Sequence, residues 1–279
     1  MNLRKKSIFV VLLLVLFIVT FTAFGNNVSA GAAAKPELKY RRLPTATSDL
    51  LEGGVVPILQ KQGYKLTAVE ITDSIQREIA LSEDEIDFHV DAHKAYIANI
   101  NKAQKTDLAV IIPLPTAPAG IYPGAKSDLS KIAKGDKLAL PNDPSNTARS
   151  LLLLSQLGWI KLKPEVDSTQ YQLSDIVENT YNLEIIELKG ANIVPTRTDF
   201  AFIILRASDA YNSRVDFNTA LIGETPTNIL PDNYIHLTVN AKHKDEQWVK
   251  DIVAAYQSQE FKDYIKTQSK IWILPDYLK

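Results

Sequence analysis

The chain contains no cysteine, one methionine and only four histidines, and its 31 basic and 32 acidic residues leave a formal charge of −1 over 279 residues. Without cysteine it has no disulfide, no thiolate metal site, no cysteine nucleophile and no cysteine for thioether lipidation. A balanced charge offers no basic field to nucleic acid, which argues against that partner. The G-x-S-x-G elbow, a phosphate-binding glycine loop and H-E-x-x-H are all missing, and histidines at 89, 93, 236 and 243 leave little for acid–base work. Neither a catalytic residue nor a cofactor is expected. What is present is enough chain, 46 % hydrophobic, for one large or two modest domains with proper cores.

The first thirty residues read as an address. Arg4, Lys5 and Lys6 precede an apolar run from Ile8 to Phe24, and Val28, Ser29 and Ala30 form a small-residue cleavage site. The alternative is an uncleaved membrane anchor, because the apolar run approaches the roughly 20 residues that span a bilayer. Cleavage after Ala30 removes three basic residues, taking the charge from −1 to −4. Export leads to an oxidising compartment, where a chain without cysteine takes its stability from packing.

Beyond the signal, short apolar segments alternate with amphipathic ones, which predicts α/β layers with a largely parallel sheet. Strands are expected at 38–42, 65–71, 108–112, 137–140, 183–188, 200–205 and 234–240. Helices are expected at 48–62, 75–81, 92–105, 145–157, 194–198 and 245–268. In the last helix Trp248, Ile252, Ala255 and Tyr256 recur at three- and four-residue spacing, a core-facing stripe. Gly53 and Gly54 fall inside the first helix just before Pro57, where a kink is expected. Prolines 113, 115, 118 and 123, and later 226 and 231, mark two extended crossings between lobes. The division is therefore 1–30 signal, 31–117 plus 232–279 as one lobe, and 118–231 as the other, with a cleft that closes on a ligand by hinge motion.

Two constellations point to chemistry. From Lys137 to Arg149 a strand ends at Pro141, a turn uses Asn142, Asp143 and Pro144, and a helix opens near Ser145 with Arg149 one turn in. Free amides at a helix start attract an anion, and Arg149 adds a bidentate clamp. The plain alternative is a capped helix with a surface arginine. In the second constellation, Asp87 to His93, His89 and His93 sit one turn apart if the segment is helical. Such spacing is compatible with zinc, but no third ligand is in view, and no metal site is assigned.

Taken together these residues resemble the NlpA-type family, the methionine-binding substrate proteins of ABC importers. The resemblance runs from about Leu38 to Leu274. It is carried by the Leu140 to Leu154 segment, by Gly63-Tyr64 with Val69 to Asp73, by Ile75-Gln76, by His93, Tyr96 and Asn101, by Pro118 to Tyr122, and by Gln257-Ser258 ahead of Phe261. It implies a two-lobed α/β periplasmic-binding-protein fold that takes an amino acid in its cleft and passes it to a permease in the inner membrane. Arg149 matches the arginine that grips the ligand carboxylate, Asn146 the asparagine before it, and His93 and Tyr96 positions on the other lobe.

The departures are as informative. Asp91-Ala92 stand where the family shows an aromatic and a glutamine, Ser74 replaces a tyrosine, and His236 replaces an asparagine. The asparagine that reaches the ligand amine falls on Ile204 or Leu205, with Arg206 next. Burying an unpaired charge costs several kcal/mol. If Asp91 and Arg206 face the cleft, the ligand is more polar than methionine, an acidic or basic amino acid, a short peptide or another small zwitterion. Alternatively, Asp91 and Arg206 pair with each other across the lobes and latch the closed state. Ser74, His93, Tyr96, Asp91, Asn146, Arg149, Arg206 and His236 are thus the expected ligand-binding residues. A metal-binding protein, or a sensor or enzyme variant on the same fold, remains the alternative. The family's lipidated cysteine follows its signal; here Thr22 to Gly25 lead into Asn26, so a soluble, monomeric periplasmic protein is expected.

Overall fold

A computed structural model describes residues 35–268 and 271–279; the signal segment lies outside the described residues. The first half of the chain gives strand β1 (Glu37–Arg42), helix α1 (Ala46–Leu50), one π-helical turn (Leu51–Val55), α2 (Val56–Lys61), β2 (Lys65–Glu70), α3 (Ser74–Ser82), β3 (Phe88–His93), α4 (Lys94–Gln104) and β4 (Leu108–Pro113). Then come β5 (Gly120–Pro123), β6 (Lys137–Pro141), α5 (Pro144–Gln156), β7 (Ile160–Leu162), β8 (Ile176–Asn179), β9 (Glu184–Leu188), α6 (Gly190–Ile193), β10 (Phe202–Leu205), α7 (Ala207–Asn212) and β11 (Ile222–Gly223). The chain finishes with β12 (Ile235–Asn240), α8 (Gln247–Gln257) and α9 (Gln259–Thr267).

The strands form two five-stranded sheets, β2-β1-β3-β12-β4 and β11-β5-β10-β6-β9, plus the β7–β8 hairpin. Each large sheet is parallel except for one reversed strand next to an edge. In the first it is β12, antiparallel to β3 and β4; in the second it is β5, antiparallel to β10 and β11. The reversed strands are the ones that the two crossings deliver. The chain leaves the first sheet after β4 and enters the second at β5, and it leaves the second after β11 and returns at β12. A strand entered from the far side of a cleft runs against strands that end at that cleft. The expected largely parallel sheet is thereby two mixed ones.

Alternation along the strands separates core from site. Leu38 and Tyr40 on β1, and Phe88 and Val90 on β3, pack into the core formed with α8 and α9, where Trp248, Ile252, Ala255 and Tyr256 are all buried as their spacing predicts. Arg41, His89, Asp91 and His93 consequently point to the opposite face. The expected 245–268 helix is two, because Ser258 interrupts it and caps α9 by accepting from the Phe261 amide. The Gly53-Gly54 pair lies in the π-helical turn before Pro57, where a Cβ on Gly54 would collide with Tyr264 and Phe261 of α9. The glycines are required by close helix packing, and the π turn absorbs the irregularity. Among the described residues no helix is long and apolar enough to cross a membrane.

Candidate functional site

In parallel α/β sheets, ligands bind beyond the carboxyl ends of the strands, where loops and helix starts converge. A cavity of about 230 Å³ lies at such ends in both sheets. Leu43 and Thr45 follow β1, Thr72 and Ser74 follow β2, and Asp91 to His93 end β3; from the other sheet come Asn146 after β6, Ala191 after β9 and Arg206 after β10. The cavity therefore collects residues from both lobes.

The structure brings seven of the eight expected residues to this cavity: Ser74, Asp91, His93, Tyr96, Asn146, Arg149 and Arg206. His236 is the exception, and Ile235 lines the wall in its place. The His236 ring turns back on its own strand, Nδ1 donating to the Tyr234 carbonyl at 2.7 Å, and its charged neighbours are Lys94 and Asp232. Burial lowers its pKa, leaving it neutral.

His93 joins the two lobes. As the last residue of β3 it caps α4, Nδ1 accepting from the Tyr96 amide at 3.1 Å, so the remaining proton is on Nε2, which lies 3.3 Å from Asn146 Oδ1. Burial first, and the nearby Arg149 charge second, push the imidazole down to about 3. A neutral ring with a fixed tautomer is a directional donor and not a charge. The ring of Tyr96 meets His93 edge-on at 6.2 Å, and Arg77 lies over Tyr96 at 5.7 Å. Asn146 is fixed in turn by its amide donating to Asp143 Oδ1 at 2.8 Å.

Arg149 is not a free clamp. Its Nε donates to Glu224 Oε1 at 2.5 Å and a terminal nitrogen to Oε2, both side chains being 5 % exposed. Glu224 Oε2 also accepts the Ala119 amide at 2.9 Å. The fork that faces a carboxylate is thus spent on one supplied by the chain, which holds the arginine and leaves its other terminal nitrogen without a partner among the described residues.

Asp91 and Arg206 do not pair with each other. Asp91 lies 2.8 Å from Arg41, both side chains no more than 3 % exposed, and accepts from Thr45 at 3.2 Å. Arg206 grips Asp209 with two bonds of 2.7 Å and reaches Asp143 at 3.5 Å. Burial works against its charge, but the Asp209 hydrogen bonds and the Asp209 and Asp143 charges outweigh it and raise its pKa. Gly190 permits this, since a Cβ there would strike Arg206 and Asp209. The cross-lobe latch is absent because each charge finds its partner within its own lobe.

A third buried group went unread in the sequence. Arg77 Nε donates to Glu78 Oε1 at 2.8 Å, and the other Glu78 oxygen lies 2.8 Å from His89 Nε2. Burial opposes ionisation of Glu78, yet Arg77 and His89 hold it down at about 2. The segment expected as a possible helix is strand β3, so His89 and His93 are about 13 Å apart along it, four residues at about 3.3 Å each. Their rings serve Glu78 and Asn146 respectively, and among the described residues no group of three or more acidic or histidine side chains is placed to hold a metal ion. Arg41, Arg77, Asp209 and Glu224 escaped notice for one reason: nothing in local spacing distinguishes them from solvated charges.

Relatives carry the same architecture. A putative lipoprotein from Ruminococcus gnavus superposes with a TM-score of 0.80 at 31 % identity over 87 % of this chain and all of that one. A nutrient binding protein from Burkholderia cenocepacia bound to methionine gives 0.76 at 29 % identity over 85 % and 99 % of the two chains. In sequence, the D-methionine-binding lipoprotein MetQ of Salmonella typhi is 32 % identical over 208 residues, 72 % of this chain and 74 % of the relative. The probable D-methionine-binding lipoprotein MetQ of Pasteurella multocida is 29 % identical over 240 residues, 83 % and 84 % of the two. Residues 42–276 match the NlpA lipoprotein model, and the chain belongs to that family of two-lobed α/β proteins.

Proposed function

We propose that this protein is an extracytoplasmic solute-binding protein that captures an amino-acid-like ligand, methionine or a more polar relative, and delivers it to an ABC permease. The observation that carries the reading is one cavity lined from the carboxyl ends of both sheets, with His93 of one lobe bonded to Asn146 of the other. A ligand seated there touches both lobes and favours their closure, which is the signal a permease requires. The relatives named for D-methionine and the methionine-bound structure support the ligand class and the transport role.

Ser74, Asp91, His93, Tyr96, Asn146, Arg149 and Arg206 form the binding site in this proposal, with no catalytic group and no metal. Its lobes are 31–117 with 232–279, and 118–231, a division supported over the described residues by the partition of strands between the sheets. The protein acts as a monomer, without lipid because the chain has no cysteine, and in the periplasm after removal of the signal. N-terminal sequencing of the exported form is expected to begin at Gly31; an intact Met1 would mean an anchored protein.

Thermal denaturation against the twenty amino acids, dipeptides and divalent metals tests the function. A ligand that binds only the folded state raises Tm, by the equivalent of about 2.7 kcal/mol at a hundred times Kd. A shift with zinc and with no amino acid or peptide would replace this reading by metal binding. Arg149→Ala is expected to weaken binding at least 100-fold, and undiminished binding would remove Arg149 from the site.

A further inference from the structure

The cavity is lined by four guanidinium groups, those of Arg41, Arg77, Arg149 and Arg206. Arginine carries five N–H donors and no acceptor, so four of them in a space of this size set a hydrogen-bond balance that a ligand has to complete.

The donors are only partly used. Arg77 and Arg149 each spend Nε and one terminal nitrogen on a carboxylate, leaving the other terminal nitrogen without a partner among the described residues. Arg41 spends Nε on the Ile71 carbonyl and one terminal nitrogen on Asp91. None of these unpaired nitrogens is among the fully buried polar atoms that lack a partner, so each keeps a small accessible surface, although the Arg41 side chain is only 1 % exposed.

The two carboxylates that line the same space, Asp91 and Asp209, are largely occupied. Asp91 Oδ1 accepts from two threonines, and Oδ2 is fully buried against Arg41. Asp209 takes an arginine hydrogen bond on each oxygen, though its remaining lone pairs still suit an ammonium. Spare charged donors therefore come from both lobes, and the spare charged acceptor is one carboxylate; the other acceptors in the lining are neutral oxygens, including those of Thr72, Ser74, Tyr96, Asn146, Ser208 and Asn212.

On this balance we propose that the ligand is an acidic α-amino acid: its ammonium on Asp209, its α-carboxylate on Arg149, and a second carboxylate on the Arg41 and Arg77 wall of the first lobe. The inference rests on the solute-binding reading and narrows it. A methionine side chain would cover the first-lobe donors without satisfying them, and sites built to hydrogen-bond a ligand group reject analogues lacking it by large factors.

The test is isothermal titration calorimetry on the purified chain, unfolded and refolded to strip any carried ligand, with L-glutamate, L-aspartate, L-glutamine and L-methionine. One acidic amino acid is expected to bind at least about 100-fold tighter than methionine and at least about tenfold tighter than glutamine. Methionine binding as tightly, or glutamine matching glutamate, would overturn the acidic assignment and leave the solute-binding function standing. Binding of none of the four, together with no Tm shift from any other amino acid, would overturn both. In the paired variant Arg41→Leu with Asp91→Leu, which removes both charges together, the acidic preference over methionine is expected to fall at least tenfold. An unchanged preference would overturn the role of that wall, and should the variant fail to fold, the wild-type titrations decide the question alone.

Discussion

The two walls of the cavity carry the same residue types and hold them differently. On the first-lobe wall, Arg41 and Asp91 stand on the same face of neighbouring strands, and Arg77, Glu78 and His89 form a chain between α3 and β3 with side chains at most 5 % exposed. On the second-lobe wall, Arg206 meets Asp209 within one helical turn and keeps 28 % of its side chain exposed, while Arg149 reaches Glu224 from 75 residues away. The first wall is dry and interlocked; the second is mixed, with Arg149 and Glu224 as buried as the first wall and Arg206 partly exposed and locally paired. Removing one partner of a buried pair leaves an uncompensated charge, whereas an exposed pair loses little because water replaces the partner. Buried and exposed pairs should therefore respond very differently to the same kind of substitution.

The largest effect is expected at the centre of the dry wall. Glu78→Ala strands both Arg77 and His89, and urea unfolding should show a loss of about 3–5 kcal/mol. Acid should weaken the same wall in two stages. Folding holds His93 down at about 3 against an ordinary 6.5, so below pH 6.5 the unfolded chain binds a proton that the folded one refuses, and stability falls by up to about 1.4 kcal/mol per pH unit. Glu78, held at about 2 against 4.5, contributes stability that is complete above pH 4.5 and is lost as pH falls through 2, about 3 kcal/mol in all. His93→Asn keeps a side-chain cap for α4 and should flatten the urea-derived stability profile between pH 6.5 and 4.5; an unaltered slope would assign that window to other groups.

Smaller effects sharpen the contrast. Asp91→Ala alone should cost about 3 kcal/mol by exposing Arg41 to a dry wall, while Arg41→Leu with Asp91→Leu should fall within about 1–2 kcal/mol of wild type, since replacing both members of a buried pair is often neutral. Equal losses in the single and double variants would show that the pair contributes net stability. On the second wall, Arg206→Ala leaves Asp209, 7 % exposed, without its guanidinium and should cost about 2 kcal/mol of stability as well as ligand affinity. Smallest of all, Glu260→Ala breaks the exposed Lys61–Glu260 contact and should change thermal stability by less than about 0.5 kcal/mol.

How much of this was legible follows the same local and non-local divide. The strand, turn and helix from Lys137 to Gln156 are encoded locally: β6 ends at Pro141, Asp143 caps by accepting from the Asn146 amide, and Pro144 opens α5, close to where spacing placed them. The apolar stripe of α8 was equally plain. Asp87 to His93 misled because the four-residue spacing of His89 and His93 drew the reading to a helix, although Phe88, Val90 and Ala92 alternate with His89, Asp91 and His93 in the period of a strand, which β3 forms by pairing with β1 and β12. Asp91 and Arg206 were recognised as the changed residues, but their partners were not, since any carboxylate or guanidinium in the chain was a candidate.

The sequence by itself determined the alternation of strands and helices, the two crossings, the family, and the residue types that crowd the site, because periodicity, proline placement and turn chemistry act over a few neighbouring residues. Only the tertiary structure decided that β5 and β12 run against their sheets, that His236 turns away while Ile235 lines the wall, and that Glu224 occupies the fork of Arg149. Strand register and charge pairing depend on groups brought together from 46 to 75 residues apart at Asp91 and Arg149, a distance over which spacing carries no information.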